Sequence, residues 1–596
     1  MKHVLKGSLV VLALAAGTRF ASGATFAVTP AAVSNTYSGV LTLNIGGLTN
    51  HEPVTVQSYF DVNNNGTVDA GDFLFDTFNI SEGGVTTIGG ITNLNIPFDS
   101  NSATDAITTT LNLTASLDSA VGQRIFCVSS PSGRFTPVTN LFNVTNAALN
   151  QAVMGTVYAG GVPQPGTLVA ALGLPNFNFA GGAMTDGSGN YFLKLAPGSY
   201  ALMPVKPGFF TDQSLVPMVA LTGGMTATNN LYITNGSVSV SGLIHDSANS
   251  NGLGGVFVQF ESGNLFTVAF SDASGNYTAG VSPNLWNLKL DGDRLARRGY
   301  VRPQGSAAQA DTTLGSASNV NVALTRGNAM FYGRLTDGLG APMANIAIGA
   351  SAFGNQLEGQ GFTDANGYYS VAVLVDTNNF PGSDVWRVSP NSENVALVNY
   401  IVSNSGDITL ANGQAYHQNF GVLPVTATIS GRLLNNLGNP VSGVSVGAYA
   451  VIGGTQYSTP FVDTDSNGNY LLGVASGQWT VNANCCGNEG LDSQGYYDPV
   501  MQHFVSVPPT NGVVDITVYP IGTPYLSQPQ RFGTAQFSFV LSGAAGNNYT
   551  IQAKTDFAST NWFTVMVISN MPGTYYFFQD YSATNSQRYY RALLGP

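Results

Sequence analysis

Oxygen-bearing side chains recur at nearly every second position in one short segment near the start of the chain. Residues 61–72 read Asp-Val-Asn-Asn-Asn-Gly-Thr-Val-Asp-Ala-Gly-Asp. In this loop of twelve, positions 1, 3, 5, 9 and 12 carry side-chain oxygens, position 7 offers a backbone carbonyl, and position 6 is glycine. This spacing can wrap about six oxygens around one point at about 2.4 Å, as a hard cation requires. The sequence therefore predicts a Ca²⁺ site with the ligands Asp61, Asn63, Asn65, Thr67, Asp69 and Asp72.

The segment resembles the calcium loops of dockerins and EF-hands, with Asp72 in place of the usual glutamate, as in dockerins. Its flanks differ, because residues 54–60 and 73–80 read as strands rather than helices. We therefore expect a strand–loop–strand variant. Only three of the donors are carboxylates, so the predicted affinity suits millimolar extracellular calcium. The alternative is an Asn/Gly-rich hairpin loop that binds no metal.

The rest of the chain must supply strands to position such a loop. Short alternating runs, such as residues 236–242 and 444–451, are separated by clusters of Gly, Asn, Asp, Ser and Pro. This pattern is typical of β-sandwiches, and amphipathic helix patterns are nearly absent. Only 9% of the 596 residues are charged, 44% are hydrophobic and the net charge is −12. That composition argues against a disordered chain and against a nucleic-acid partner, which needs a basic face.

One motif, Asp-x-x-Gly-x-Tyr, occurs four times at intervals that suit one small sandwich per repeat. The aspartates are Asp186, Asp272, Asp364 and Asp465. The motif predicts a hairpin turn in which Asp caps its own backbone, Gly adopts positive φ and Tyr begins the outgoing strand. A metal site at each turn is the alternative, but further acidic residues are missing there.

Aromatic residues follow the same register. Tyr200, Trp286 and Trp479 each lie nine residues after the motif tyrosine, and Trp386 lies seventeen after it, which indicates an insertion around residues 376–384. A residue that every unit needs is expected in the core rather than on a sugar-stacking platform. Trp562 is likewise predicted to be a core residue of the last unit.

Residues 150–520 resemble repeated carboxypeptidase regulatory-like domains. The resemblance rests on Gly-x-Val/Leu, a Gly/Pro turn, a strand, Asp-x-x-Gly-x-Tyr and, in the first repeat, Pro-Gly-Ser-Tyr at 197–200. It implies a transthyretin-like sandwich of about seven strands, grouped near starch-binding modules. That family is mostly non-catalytic, and some of its relatives bind polysaccharide. The last 70 or so residues resemble a short C-terminal β domain of large exported bacterial proteins.

We predict an all-β fold, a tandem array of about six β-sandwich domains. The proposed division comprises a signal peptide (1–23), a first unit with the calcium loop (24–150), repeat 1 (151–235), repeat 2 (236–327), repeat 3 (328–425), repeat 4 (426–522) and a C-terminal unit (523–596).

The N-terminus predicts export. A basic start, an apolar stretch at 9–16 and small residues at 21–23 are typical of a signal peptide. Its removal takes away three basic residues and no acid, so the net charge changes from −12 to −15. No later segment reads as a transmembrane helix, so we expect a secreted, extracellular or cell-surface protein. Cys485 and Cys486 either form a strained disulfide or remain free thiols, and the sequence favours neither.

The sequence offers little for catalysis, and we predict no enzyme activity. None of the four histidines outside the leader has zinc-site spacing. Gly-x-Ser-x-Gly at 443–447 lies in a strand pattern, whereas a nucleophile elbow needs a strand–turn–helix. The one basic cluster, comprising Arg294, Arg297, Arg298 and Arg302, is interpreted as a solvated edge.

The leading hypothesis is an exported, non-catalytic β-sandwich protein for cell-surface attachment or extracellular polymer binding, arranged as an extended rod. The alternative is a carbohydrate-binding accessory protein of a polysaccharide-degrading system, and a hydrolase comes third. Polysaccharide or a surface polymer is the expected partner. The aromatic residues outside the repeat register that could stack on a sugar are Phe177, Phe179 and Tyr497.

Overall fold

The chain is an array of β-sandwich units. The computed structural model describes residues 23–113, 116–174, 177–354, 356–391, 399–483, 490–500, 502–507, 511–532, 536–585 and 587–595. Residues 1–22 of the predicted signal peptide, and both Cys485 and Cys486, lie outside these ranges. No helix within them is long and apolar enough to cross a membrane. We keep the names of the units given above as our own division of the chain.

The first unit packs a three-stranded sheet against a five-stranded one. Alternate residues of its strands are buried, as the two-residue period of a half-buried strand requires. Leu41, Val54 and Phe142 lie in its core. Its strands are Thr25–Thr29, Ala32–Ser34, Val40–Gly46, Pro53–Phe60, Phe73–Ser81, Thr87–Ile88, Ile91–Thr92, Ala106–Asn112, Gly122–Ser129 and Val138–Thr145, with a 3-10 turn at Ser116–Ser119.

The four repeats share one topology. In each, the first strand pairs antiparallel with the strand that carries the motif tyrosine and parallel with late strands of the same repeat. A second, antiparallel sheet holds a hairpin and the strand with the tryptophan or Tyr200. The buried faces of the two sheets form one core per repeat.

The elements of the repeats follow in chain order. Repeat 1 has strands Ala152–Ala159, Val162–Pro163, Leu168–Gly173, Asn178–Met184, Asn190–Lys194, Gly198–Val205, Phe209–Asp212, Met218–Leu221, Thr226–Thr228, Leu231–Tyr232 and Thr234–Asn235, with a 3-10 turn at Gln213–Leu215. Repeat 2 has strands Val238–Asp246, Phe257–Ser262, Leu265–Phe270, Asn276–Val281, Leu285–Leu290, Tyr300–Pro303, Ala308–Asp311 and Val322–Arg326, with a helix at Gly292–Ala296. Repeat 3 has strands Ala329–Thr336, Ala347–Ala352, Leu357–Phe362, Tyr368–Val373, Val385–Pro390, Tyr400–Ser403, Ile408–Thr409, Ala415–His417, Phe420–Gly421 and Leu423–Pro424. Repeat 4 has strands Ala427–Asn435, Ser445–Ile452, Thr455–Ser458, Val462–Asp463, Asn469–Val474, Gly477–Asn482, Tyr496–Tyr497, His503–Val507, Gly512–Val513 and Ile516–Pro520, with a 3-10 turn at Asp492–Gln494.

The C-terminal unit consists of two three-stranded antiparallel sheets around a small core that includes Phe539 and Tyr549. Its strands are Tyr525–Phe532, Gln536–Ser542, Tyr549–Lys554, Phe563–Ile568, Tyr575–Asp580 and Tyr589–Leu594.

Three short strands, which we call the linking strands, join consecutive repeats. They are Phe209–Asp212, Tyr300–Pro303 and Tyr400–Ser403. The first two residues of each pair with the end of their own repeat, and the next two pair antiparallel with the hairpin of the following repeat. The hydrogen-bonded sheets therefore continue across three junctions. This pairing also covers sheet edges that would otherwise be open to unwanted partners.

The first unit packs against three of the repeats, which corrects the expectation of an extended rod for this part of the chain. Phe60 and Phe75 of the first unit share one apolar cluster with Met203 of repeat 1 and Phe257 of repeat 2. On repeat 3, Ser370 accepts a hydrogen bond at its hydroxyl from the Leu94 amide (2.7 Å). Contacts with three successive repeats make this half of the molecule a packed body.

The arginine cluster of repeat 2 lies inside that junction, so its interpretation as a solvated edge is wrong. Arg294, Arg297 and Arg298 are at most 9% exposed. Arg297 donates to Asp76 (2.7 Å) and Asp118 (2.5 Å) of the first unit, and Arg294 reaches Asp118 at 3.3 Å. Buried charges are tolerated in a core only when paired in this way. Arg302 is half-buried and pairs with Glu358 of repeat 3.

Candidate functional site

The predicted calcium loop connects two antiparallel strands, Pro53–Phe60 and Phe73–Ser81, which confirms the strand–loop–strand form. Gly66 has a φ of +75°, a left-handed conformation that favours glycine at the sharp turn. The loop lies beside repeat 1, because a Cβ on Gly166 would meet the Val62 side chain.

Asp61 is the centre of the first half of the loop. It is only 3% exposed, and its two carboxylate oxygens accept hydrogen bonds from the amides of Asn65 (3.1 Å) and Gly66 (2.8 Å). The side-chain oxygen of Asn63 accepts from the Asn65 amide at 3.0 Å, and that of Asn65 accepts from the Thr67 amide at 2.8 Å. Asn63 and Asn65 thus each accept from the backbone amide two residues later, as in Asx turns, whereas Asp61 accepts from amides four and five residues later.

Asp69 and Asp72 close the loop. The side-chain amide nitrogens of Asn63 (2.6 Å) and Asn65 (2.9 Å) both donate to Asp69 Oδ2. A bond from the Gly71 amide, followed by that from Asn63, lowers the pKa of Asp69. Asp72 accepts from the backbone of Val62 (3.0 Å) and Asp69 (2.9 Å). Burial raises the pKa of Asp72, and the charges of Asp69 and Asp61 add to that rise. The loop therefore holds three carboxylates, and Asp72 is repelled by the other two.

The donor set fits calcium in type, because all six predicted ligands offer hard oxygens. Across the described ranges, no three His, Cys, Asp or Glu side chains are grouped so as to hold a metal ion. The Asn63 and Asn65 amides present nitrogen to Asp69, and a half-turn of each amide would exchange nitrogen for oxygen. Calcium binding would therefore require that change, and the six residues remain a predicted ligand set.

The four Asp-x-x-Gly-x-Tyr segments are hairpin turns, as predicted. In repeat 4, Asp465 Oδ1 accepts from the amides of Asn467 and Asn469, both at 2.8 Å, and Gly468 has a φ of +75°. The same two bonds recur at Asp186, Asp272 and Asp364. The aspartate oxygen is thus occupied by backbone amides, which supports a structural role for the turn.

Each motif tyrosine is tied to a glycine on the first strand of its repeat. Tyr470 donates its hydroxyl to the Val514 carbonyl at 2.5 Å, and a Cβ on Gly431 would lie 1.7 Å from that same oxygen. The other three repeats repeat this arrangement with Tyr191 and Gly155, Tyr277 and Gly242, and Tyr369 and Gly333. Glycine therefore recurs because the late strand's carbonyl lies too close for any side chain.

The recurring tryptophans are core residues, as predicted. Trp286, Trp386 and Trp479 are fully buried, and each indole donates to a backbone carbonyl three or four residues earlier. Tyr200 does the same with its hydroxyl, donating to the Ala196 carbonyl at 2.8 Å. These rings are therefore inaccessible to a sugar.

Trp562 is not a core residue, which corrects that prediction. It is half-buried on the surface of the C-terminal unit, with Arg591 4.4 Å and Lys554 4.8 Å from its ring. The C-terminal unit occurs only once in the sequence. The argument from a recurring position, which predicted burial of the other tryptophans, therefore did not apply to Trp562. Cation–π contacts of this kind suit a ring held at the surface.

Ser445 of the Gly-x-Ser-x-Gly segment begins the strand Ser445–Ile452. Its hydroxyl donates to Asp463 at 2.6 Å. This strand context agrees with the sequence interpretation and lacks the exposed turn of a nucleophile elbow.

A cavity of about 660 Å³ lies between repeat 4 and the C-terminal unit. Tyr497, one of the three predicted stacking candidates, lines it, whereas Phe177 is exposed elsewhere and Phe179 packs in the junction cluster. The side of the cavity formed by Gly543, Ala544 and Tyr575 was missed, because only tertiary packing brings it near Tyr497. Burial, reinforced by neighbouring tyrosines, raises the pKa of Tyr497, which keeps its hydroxyl protonated as a donor to the Thr523 carbonyl.

Comparisons with known proteins found similarity to solved structures but to no family. No family model and no curated protein matches the chain. Among solved structures, the TIE protein of Bacillus anthracis is 11% identical, with 84% of this chain and 75% of that one covered and a TM-score of 0.15. A minor pilin of Streptococcus agalactiae is 14% identical, covering 34% and 100%, with a TM-score of 0.15. The major pilin subunit of Bacillus cereus is 10% identical, covering 48% and 99%, with a TM-score of 0.12.

Proposed function

We propose that this chain is an exported, non-catalytic β-sandwich protein that attaches to a cell surface or binds an extracellular polymer. The observation that carries the proposal is the set of linking strands. Backbone hydrogen bonds at three consecutive junctions give a continuous β array that resists separation of its units. The resemblance of repeats 1–4 to carboxypeptidase regulatory-like domains is consistent with this role, since that family is mostly non-catalytic.

A sedimentation assay with the mature chain, residues 24–596, tests the proposal. The protein is mixed with cellulose, chitin, starch granules or purified bacterial cell-wall sacculi, and the fraction in the pellet is measured. We expect retention on at least one of these materials. An unrelated acidic protein of similar charge serves as the control, and pellet fractions no higher than its own on every material would refute polymer and wall binding.

We further propose that residues 61–72 bind Ca²⁺ and thereby fix the end of the first unit. Support comes from the buried Asp61, the shared carboxylates of Asp69 and Asp72, and the strand–loop–strand geometry described above. Because the first unit packs against three repeats, the full mature chain is the sample for calorimetry with calcium. We expect heat of binding that disappears in Asp61→Ala and Asp72→Ala, while Asp186→Ala, at a turn with no further acids, keeps it. No heat in the wild-type chain, or unchanged heat in the first two variants, would refute the site.

A further inference from the structure

The cavity beside Tyr497 lies where the repeat pattern ends. Tyr496–Tyr497 of repeat 4 pairs with Ile516–Pro520, just as each linking strand pairs with the last strand of its own repeat. By this equivalence, Asp498 and Pro499 occupy the two positions that pair forward with the next repeat in the other three repeats. The unit that comes next in the chain is the C-terminal unit rather than another repeat.

Local chemistry closes this position to a strand. In repeats 1 and 2 the equivalent next amides, of Gln213 and Gln304, donate to carbonyls of the following repeat at 2.7 and 3.0 Å. Here the Val500 amide donates instead to the Asp498 carboxylate at 2.9 Å. Pro499 has no amide hydrogen to offer. A peptide strand would therefore find a donor at neither Pro499 nor Val500, and the space between the units is left as a cavity rather than filled by a hairpin.

The lining of the cavity is aromatic and polar but carries little free charge. Tyr497 and Tyr575 line it from opposite units, and Asn482, Gln502 and Thr574 add neutral polar groups. Among the described residues that line it, none is a lysine or arginine that could bind an anion. The one acid among these described lining residues, Asp498, is buried, and its carboxylate lies 2.8 Å from His503 Nε2, so it is already engaged. The volume of the cavity is within the range of about 300–1,000 Å³ that small-ligand sites show.

We propose that this cleft binds a neutral oligosaccharide, which rests on the proposed polymer-binding function and names its site. A sugar ring has an apolar C–H face that suits a tyrosine ring and hydroxyl groups that suit planar side-chain amides. Gly522, Gly543, Ala544 and Ala545 add small residues to the lining, which let a flat ring approach the backbone.

Calorimetry of the mature chain with cellohexaose, maltohexaose, xylohexaose, laminarihexaose, chitohexaose and, as an acidic contrast, hexagalacturonate tests the proposal. We expect at least one neutral hexasaccharide to bind and hexagalacturonate not to bind. Tyr575→Ala and Gln502→Ala should each weaken binding about tenfold, equivalent to about 1.4 kcal/mol. Tyr575 is 41% exposed and Gln502 is also exposed, so both variants should fold, which thermal unfolding will check. Tyr581→Ala, an exposed tyrosine of the same unit outside the lining, should leave affinity unchanged.

Three results would overturn the cleft assignment: no neutral hexasaccharide binds, only hexagalacturonate binds, or binding survives both lining substitutions. These results are separable from failure of the proposed function. If the Tyr575→Ala variant sediments with a polymer as well as the wild-type chain does, polymer binding stands and its site lies outside the cleft. Hexasaccharide binding without sedimentation would support the cleft and refute polymer attachment.

Discussion

Replacing Arg297 with alanine should loosen the junction between the first unit and repeat 2. The Arg297 guanidinium joins Asp76 and Asp118 and also donates to the Asn112 carbonyl at 2.5 Å. Burial lowers the pKa of Arg297, but the charges of Asp118 and Asp76 outweigh it and raise that pKa above its usual value. Burial opposes ionisation of Asp118, yet Arg297 and then Arg294 hold its pKa below the ordinary value. Both partners are therefore charged, and the variant leaves carboxylates buried without their main counter-charge.

The expected cost follows from burial. Asp76 and Asp118 are both less than 5% exposed, so water cannot replace the lost guanidinium. Breaking a buried ion pair by removing one partner costs about 3–5 kcal/mol. The matched control is Arg387→Ala, which breaks a pair with Asp407 in which both side chains are at least half exposed. Exposed pairs contribute about 0–1 kcal/mol.

Hydrogen–deuterium exchange with mass spectrometry is the suitable assay, because a chain of several units does not unfold in one two-state step. At about 1.4 kcal/mol per factor of ten, amides of the junction in 106–112, 122–129 and 300–303 should exchange about two to four orders of magnitude faster in Arg297→Ala. Amides of the C-terminal unit should not change. Acceleration no greater than that around Arg387 in the control would show that the junction does not depend on this buried pair.

Trp386→Ala should destabilise repeat 3 by about 3–5 kcal/mol, because the ring is fully buried. Trp562→Ala should destabilise the C-terminal unit far less, because that ring is only half-buried. Equal losses of stability in denaturant-induced unfolding would contradict the core assignment. Gly431→Ala should destabilise repeat 4 by about 1–3 kcal/mol or more, because the added Cβ would meet the Val514 carbonyl. Gly349→Ala lies on an open strand face and should leave thermal unfolding unchanged. Similar losses of stability in both variants would refute the steric argument. Burial, and then the charge of Asp291, raises the pKa of Asp293 to about 7, above about 3.9 in the unfolded chain. Ionisation of this carboxyl should therefore destabilise the folded chain increasingly as the pH rises from about 4 to about 7. The Tm advantage of Asp293→Asn over the wild-type chain should grow across that window and then level off. An advantage that shrinks with rising pH would refute this sign.

Much of the local structure could be predicted from the sequence because it depends on neighbours in the chain. The turn at Asp465 needs only an aspartate oxygen that accepts hydrogen bonds from the backbone amides two and four residues later. The burial of Trp286, Trp386 and Trp479 could be predicted because a fourfold repeat reveals what each unit requires of its core. Trp562 has no such repeat, and its position at the surface could not be found in that way.

Sequence by itself determined the all-β class, the repeat register, the turns and the strands that flank residues 61–72, since alternation and turn chemistry act over a few residues. Only the tertiary structure decided the environment of the charges and the location of the cleft. Arg297 lies 179 positions from Asp118 in the chain, so no local pattern distinguishes a buried bridge from a solvated cluster. Tyr497 and Tyr575 are likewise far apart in the chain, and only the tertiary structure places them in the lining of one cavity. Pairing between units depends on which sheet edges remain open after each unit has folded, and that is a property of the assembled chain.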